Sequence, residues 1–186
     1  MEVIELTLTK GTELDFQIAL VDSPAIESDF MAFKKAHQFK VISEDKRIVS
    51  GFFMMADKPI YRRDDDGREY HVKFTAESIR EIQEQFQINK LSDQTNKNHE
   101  TDNFIDGVFV LETFVMSEAR GVYVSKDMYG DYTDGSWFGS MKVENDEVWE
   151  SVKNGTFKGF SVEGIFDQAE EKYISDFKEL VKTFNK

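Results

Sequence analysis

A serine flanked by glycines in an otherwise apolar run, Gly159-Phe-Ser-Val-Glu-Gly164, is one place where this chain could do chemistry. Small neighbours leave room for a substrate backbone to approach the Ser161 hydroxyl. A serine hydroxyl is a weak nucleophile at neutral pH and needs a base to remove its proton. The available bases are few, because only His37, His71 and His99 occur. Of these, His99 has the most suggestive setting, Asn98-His99-Glu100, where a polar stretch approaches a strand. Plainer readings stand beside these. Ser161 can be a buried serine bonded to a neighbouring carbonyl, and His99 an exposed loop imidazole. Glu163 occupies the position where the G-x-S-x-G elbow requires glycine, and Asn103 stands where a zinc-binding H-E-x-x-H helix requires its second histidine.

The third chemical feature is an acid. Glu112 lies within Val108-Phe-Val-Leu-Glu-Thr-Phe-Val115. Period-2 alternation groups it with Val108, Val110 and Phe114, and the opposite face carries Phe109, Leu111 and Val115. Both faces are apolar, so Glu112 reads either as a cleft acid that needs a partner or as a solvent-facing strand residue. Glu118, in Ser117-Glu-Ala-Arg-Gly121, is the competing acid. The acidic turns Asp64–Gly67 and Asp131–Gly135 miss the spacing of a calcium loop. No phosphate-binding or dinucleotide motif is present. Cysteine is absent, which excludes disulfides, thiolate-bound metals and thiol catalysis, and no cofactor or metal is expected.

The elements that must position these residues read mainly as strands. Ile4, Leu6 and Leu8 alternate with polar residues, and Phe16, Ile18 and Leu20 alternate with Gln17 and Ala19. Residues 47–56 form a longer apolar strand with a bend expected at Gly51, and residues 60–63 and 70–74 flank a hairpin turn at Asp64–Gly67. Thr75 then caps a helix with Ile79, Ile82 and Phe86 on one face, and residues 89–106 read as a long polar loop. Strands follow at 107–116, 121–125 and 136–143. Asn145 caps a short helix that ends at Gly155, and a strand spans 159–166. The tail, 168–186, has an amphipathic stripe of Tyr173, Phe177, Leu180 and Phe184. The expected fold is α+β and strand-rich, with a mixed or antiparallel sheet of a kind that can close into a barrel.

Composition bounds what such a fold can bind. The chain has 186 residues, with 36 Asp and Glu against 23 Lys and Arg, a net charge of −13. That field repels phosphate, so neither nucleic acid nor an anionic membrane is an expected partner. Seventeen Phe and two Trp supply a core for one compact domain. No apolar run has the length of a transmembrane helix, and the acidic, alternating N-terminus is unlike a signal peptide.

The succession Asn98-His99-Glu100, Leu111–Val115, Gly135–Val143, Asp146–Trp149, Val152–Gly155 and Lys158–Gly164 resembles the prohead (capsid maturation) serine proteases of tailed bacteriophages. Val21–Ala25 and Val49–Ala56 resemble that family's opening, so the likeness covers most of residues 15–167. The family is related to the herpesvirus assemblins. The resemblance implies a mostly antiparallel, partly closed β-barrel with a few helices around it, in a protease domain spanning 1–167. The helix of 168–186 would then pack on the barrel or at a homodimer interface. It implies a serine endopeptidase, held inside the procapsid in the bacterial host cytoplasm, that cuts scaffold protein, major capsid protein and itself. Position by position, Ser161 matches the nucleophile and His99 the general base, with Glu112 or its competitor Glu118 as orienting acid. The alternative is a catalytically inactive relative that binds capsid or scaffold.

Overall fold

The computed structural model describes residues 3–8, 17–22, 38–63, 66–97, 104–163 and 166–168. Eleven strands and three α-helices occur among them, so the fold is α+β and dominated by sheet. The strands are β1 (Val3–Leu8), β2 (Gln17–Val21), β3 (Lys40–Ser43), β4 (Ile48–Met54), β5 (Ile60–Arg63), β6 (Glu69–Phe74), β7 (Thr95–Lys97), β8 (Val108–Val115), β9 (Trp137–Val143), β10 (Gly159–Glu163) and β11 (Phe166–Gln168). The helices are α1 (Ala76–Ile88), α2 (Lys126–Tyr129) and α3 (Asp146–Lys153).

These strands make three sheets, ordered β11-β1-β6-β5, β10-β2-β7 and β3-β4-β9-β8. Only β1–β6 and β2–β7 pair in parallel, and every other neighbour pair is antiparallel. Among the described residues no sheet closes on itself, which departs from the expected partly closed barrel. The departure has a physical basis, since the sheets meet through side-chain packing and single backbone bonds. Phe39 N donates to Lys158 O at 2.9 Å and Asp57 N to Phe74 O at 2.8 Å, where a barrel would need continuous ladders.

One core joins the three sheets. Ile18, Leu20 and Phe160 of the three-stranded sheet meet Val49, Phe53, Trp137 and Met141 of the β3-β4-β9-β8 sheet. Phe53 and Phe160 pack edge-to-face with ring centroids 4.9 Å apart, and Phe53 does the same with Trp137 at 5.2 Å. Gly51 is required by this approach rather than by a bend. A Cβ there would lie 3.0 Å from the Phe39 Cα, and the register shift of β4 against β9 falls later, between Phe52 and Met54.

Both helix caps form as the sequence predicts. Thr75 Oγ1 accepts from Ser78 N at 3.1 Å, and Asn145 Oδ1 accepts from Val148 N at 3.1 Å. Ile79, Ile82 and Phe86 bury the inner face of α1, and Val148, Trp149 and Val152 that of α3. On the β1–β6 pair, Lys73 Nζ lies 2.8 Å from Glu5 Oε1. The hydrogen bond to that carboxylate holds the lysine above its usual pKa.

Three local expectations fail. The polar stretch after α1 contains a 3₁₀ turn, Leu91–Asp93, and the strand β7. The expected strand at 121–125 is a single bridge, Ser117 to Val122, followed by α2. The expected strand at 159–166 is two strands, β10 and β11, in different sheets. The tail of 168–186 and its proposed helix lie outside the described residues, apart from Gln168.

Candidate active site

Ser161 sits on β10, an outer strand of the three-stranded sheet, and its side-chain face follows from the alternation. Phe160 and Val162 turn into the main core, so Ser161 turns to the opposite face. Antiparallel pairing sets Gly159 against Val21, Ser161 against Ala19, and Glu163 against Gln17. On the other side of β2, parallel pairing sets Ala19 against Asn96. A row Ser161–Ala19–Asn96 therefore crosses the sheet on the face turned from the core.

This second face is polar yet buried. Ser161 is 5% exposed, Gln17 5%, and Ala19 and Asn96 0%. Asn96 Nδ2 donates to Gln17 Oε1 at 2.7 Å, which joins β7 to β2 through their side chains. Among the described residues the Ser161 hydroxyl makes no hydrogen bond. Ala19 contributes only a methyl group to the row between Ser161 and Asn96.

His99 lies outside the described residues, as does His37. Strand β7, whose Asn96 shares the row with Ser161, ends at Lys97, two residues before it. His71 is elsewhere, on β6, with its ring 6.1 Å from that of Tyr61.

Glu112 lies on β8, in a different sheet from Ser161. The register of β8 shifts between Val110 and Glu112, which turns Leu111 and Glu112 to solvent. Glu112 then pairs with Ser140, whose Oγ donates to Glu112 Oε1 at 2.8 Å. Ser140 and Phe138 lie on the side of β9 away from the main core, where Phe52, Met116, Tyr129 and Phe138 form a second, smaller cluster. Beside them, Ser50 Oγ and Tyr129 Oη are 2.5 Å apart. Because β10 and β4 face each other through Phe160 and Phe53, Ser161 and Glu112 stand on the outward faces of two different sheets. Glu118 is exposed in the 3₁₀ turn Glu118–Arg120 on the same remote side. Its backbone N donates to Asp134 Oδ1 at 2.8 Å, and it borders a pocket of about 470 Å³ with Tyr123, Lys126, Tyr132 and Asp134.

Sequence reasoning missed Gln17 and Asn96. Gln17 was visible only as a polar member of an alternating strand, and Thr95-Asn96-Lys97 carries no apolar signal at all. Among the described residues no group of His, Asp and Glu could hold a metal ion, and no helix is long and apolar enough to cross a membrane.

A family model described as "Putative phage serine protease XkdF" matches residues 35–170, well over half the chain. The chain belongs to this family. The matched residues include Asn96, His99, Glu112, Glu118 and Ser161, whereas Gln17 precedes them. No curated protein and no solved structure matches the chain. The description assigns the family a phage serine protease role and names no catalytic residue.

Proposed function

We propose that this chain is a serine endopeptidase of phage prohead maturation, with Ser161 as nucleophile and His99 as general base. Its substrates are the scaffold protein, the major capsid protein and itself, cut inside the procapsid in the bacterial host cytoplasm. The observation that carries this reading is the Ser161 hydroxyl. It is buried, bonded to nothing among the described residues, and set in a polar row in a chain of a phage serine protease family.

Chain connectivity supports the choice of base. Two chain steps, through Asn98, lead from Lys97 to His99, a reach of at most about 7 Å. The strand they extend lies two strand spacings from β10, about 10 Å. An imidazole at the end of that reach can meet a hydroxyl on β10.

In the reaction, neutral His99 takes the Ser161 proton as Oγ bonds to the scissile carbonyl carbon, and the carbonyl π pair moves onto oxygen. When the tetrahedral intermediate collapses, the C–N bond breaks and the imidazolium gives its proton to the leaving amine. Water then attacks the acyl-enzyme by the same route, returning the Ser161 hydroxyl and releasing a carboxylic acid. General-base assistance is worth about 10²–10⁴-fold. The third member stays as the resemblance implies it, Glu112 or its competitor Glu118; Glu112 accepts from Ser140 and Glu118 stands in the turn Glu118–Arg120.

Co-expression with scaffold protein tests the assignment. Ser161→Ala abolishes scaffold cleavage while the protein stays folded, and an alkyl fluorophosphonate labels wild type at Ser161 but not the variant. Undiminished cleavage by Ser161→Ala overturns the nucleophile, and a wild-type protein that neither labels nor cleaves is the inactive binding relative.

A further inference from the structure

We infer that the Gln17 side-chain amide is the hydrogen-bond donor for the oxyanion that forms at Ser161. The inference rests on Ser161 being the nucleophile and adds a catalytic residue to that reading. Gln17 lies directly across from Glu163 and so is the diagonal neighbour of Ser161, on the same face of the antiparallel pair. Diagonal neighbours stand about 7–8 Å apart at Cα, a span that a long side chain crosses. Gln17 is 5% exposed, so its amide lies in a place where water competes little.

The orientation of that amide follows from its hydrogen bond to Asn96. Gln17 Oε1 accepts from Asn96 Nδ2 at 2.7 Å, which uses the carbonyl end and leaves Nε2 with two N–H donors. Among the described residues Nε2 donates to nothing. The nitrogen side of the amide shares a face with the one hydroxyl proposed to attack a carbonyl. Asn96, fully buried in the same row, holds Gln17 by its carbonyl end. Asn96 is therefore a positioning residue, and Gln17 is the group that touches the reacting oxygen. A fixed donor aimed at developing charge contributes because it needs no reorganisation during reaction, and loss of one costs about 10²–10³-fold in rate.

An alkyl fluorophosphonate tests this without a known substrate. Ser161 Oγ attacks phosphorus, the hydroxyl proton passes to His99, the P–F bond breaks, and fluoride leaves. The phosphoryl oxygen gathers negative charge in the place of the acyl oxyanion. In Gln17→Met, which keeps length and removes the donors, the second-order labelling rate should fall about 10²-fold or more. Gln17→Glu keeps the acceptor for Asn96 and replaces the donors with a carboxylate oxygen, so it serves if the Met variant fails to fold. Its labelling rate relative to wild type should be low at neutral pH and rise as pH falls, because a protonated carboxyl donates again. A purely structural role gives no such pH-dependent ratio. Variants that label at the wild-type rate, or a Gln17→Glu ratio flat with pH, overturn the donor role and leave the nucleophile intact. Failure of wild type to label at Ser161 overturns both.

Discussion

Glu112 shows how one residue's neighbours decide its role. An acid in an apolar strand is expected to be either paired in a cleft or turned to water. A one-residue register shift before it chooses the second outcome, and Ser140 supplies the 2.8 Å hydrogen bond. The charge remains solvated, so removing it should matter little for stability or chemistry. Glu112→Gln keeps the acceptor oxygen for Ser140. Its fluorophosphonate labelling rate should stay within about threefold of wild type, far from the 10²–10⁴-fold loss expected when general-base chemistry is disabled. A loss of that larger size would return Glu112 to the orienting role that the resemblance implies.

At the scale of elements, the close approach of strands sets where Ser161 can be. Gly139 on β9 faces the main core, and a Cβ there would lie 2.6 Å from Phe53 Cζ and 2.7 Å from the Glu112 backbone oxygen. Neither atom can yield easily, because Phe53 is wedged between Trp137 and Phe160 and the oxygen belongs to the β8 backbone. Gly139→Ala should therefore destabilise the fold by about 1–3 kcal/mol through overpacking, read as a lower midpoint in urea unfolding. An unchanged midpoint would mean that Phe53 is not held as tightly as these contacts require. The same elements explain what the sequence made legible. The alternation around Ile18 and Leu20, the caps at Thr75 and Asn145 and the spacing of Ile79, Ile82 and Phe86 are local signals, and each names its element. Strand β7 has no local signal. Thr95, Asn96 and Lys97 become a strand because β2 offers a parallel edge, a tertiary cause that composition does not carry. The chemistry divides in the same way. Ser161 is marked as a candidate by its glycine setting. Gln17 and Asn96 matter only because two strands far apart in sequence lie side by side, which no spacing rule reveals.

Across the whole molecule the dominant quantity is charge. Thirty-six acids against 23 bases give −13, a field that acts on any flexible polypeptide approaching the site. A substrate segment rich in lysine is drawn in and one rich in glutamate is held off, before either makes a specific contact. Such steering acts on encounter, so it appears in kcat/KM and fades with salt, as the Debye length shrinks from about 10 Å at 0.1 M to about 3 Å at 1 M. Two peptides with the same cleavage sequence, one flanked by lysines and one by glutamates, separate this effect from pocket specificity. At low salt kcat/KM should favour the lysine-flanked peptide by about 10-fold, the lower range of electrostatic steering, and the ratio should approach one near 1 M salt. A preference that persists undiminished at high salt would instead place the discrimination in direct contacts beside Ser161, where desolvated charge pairs escape screening.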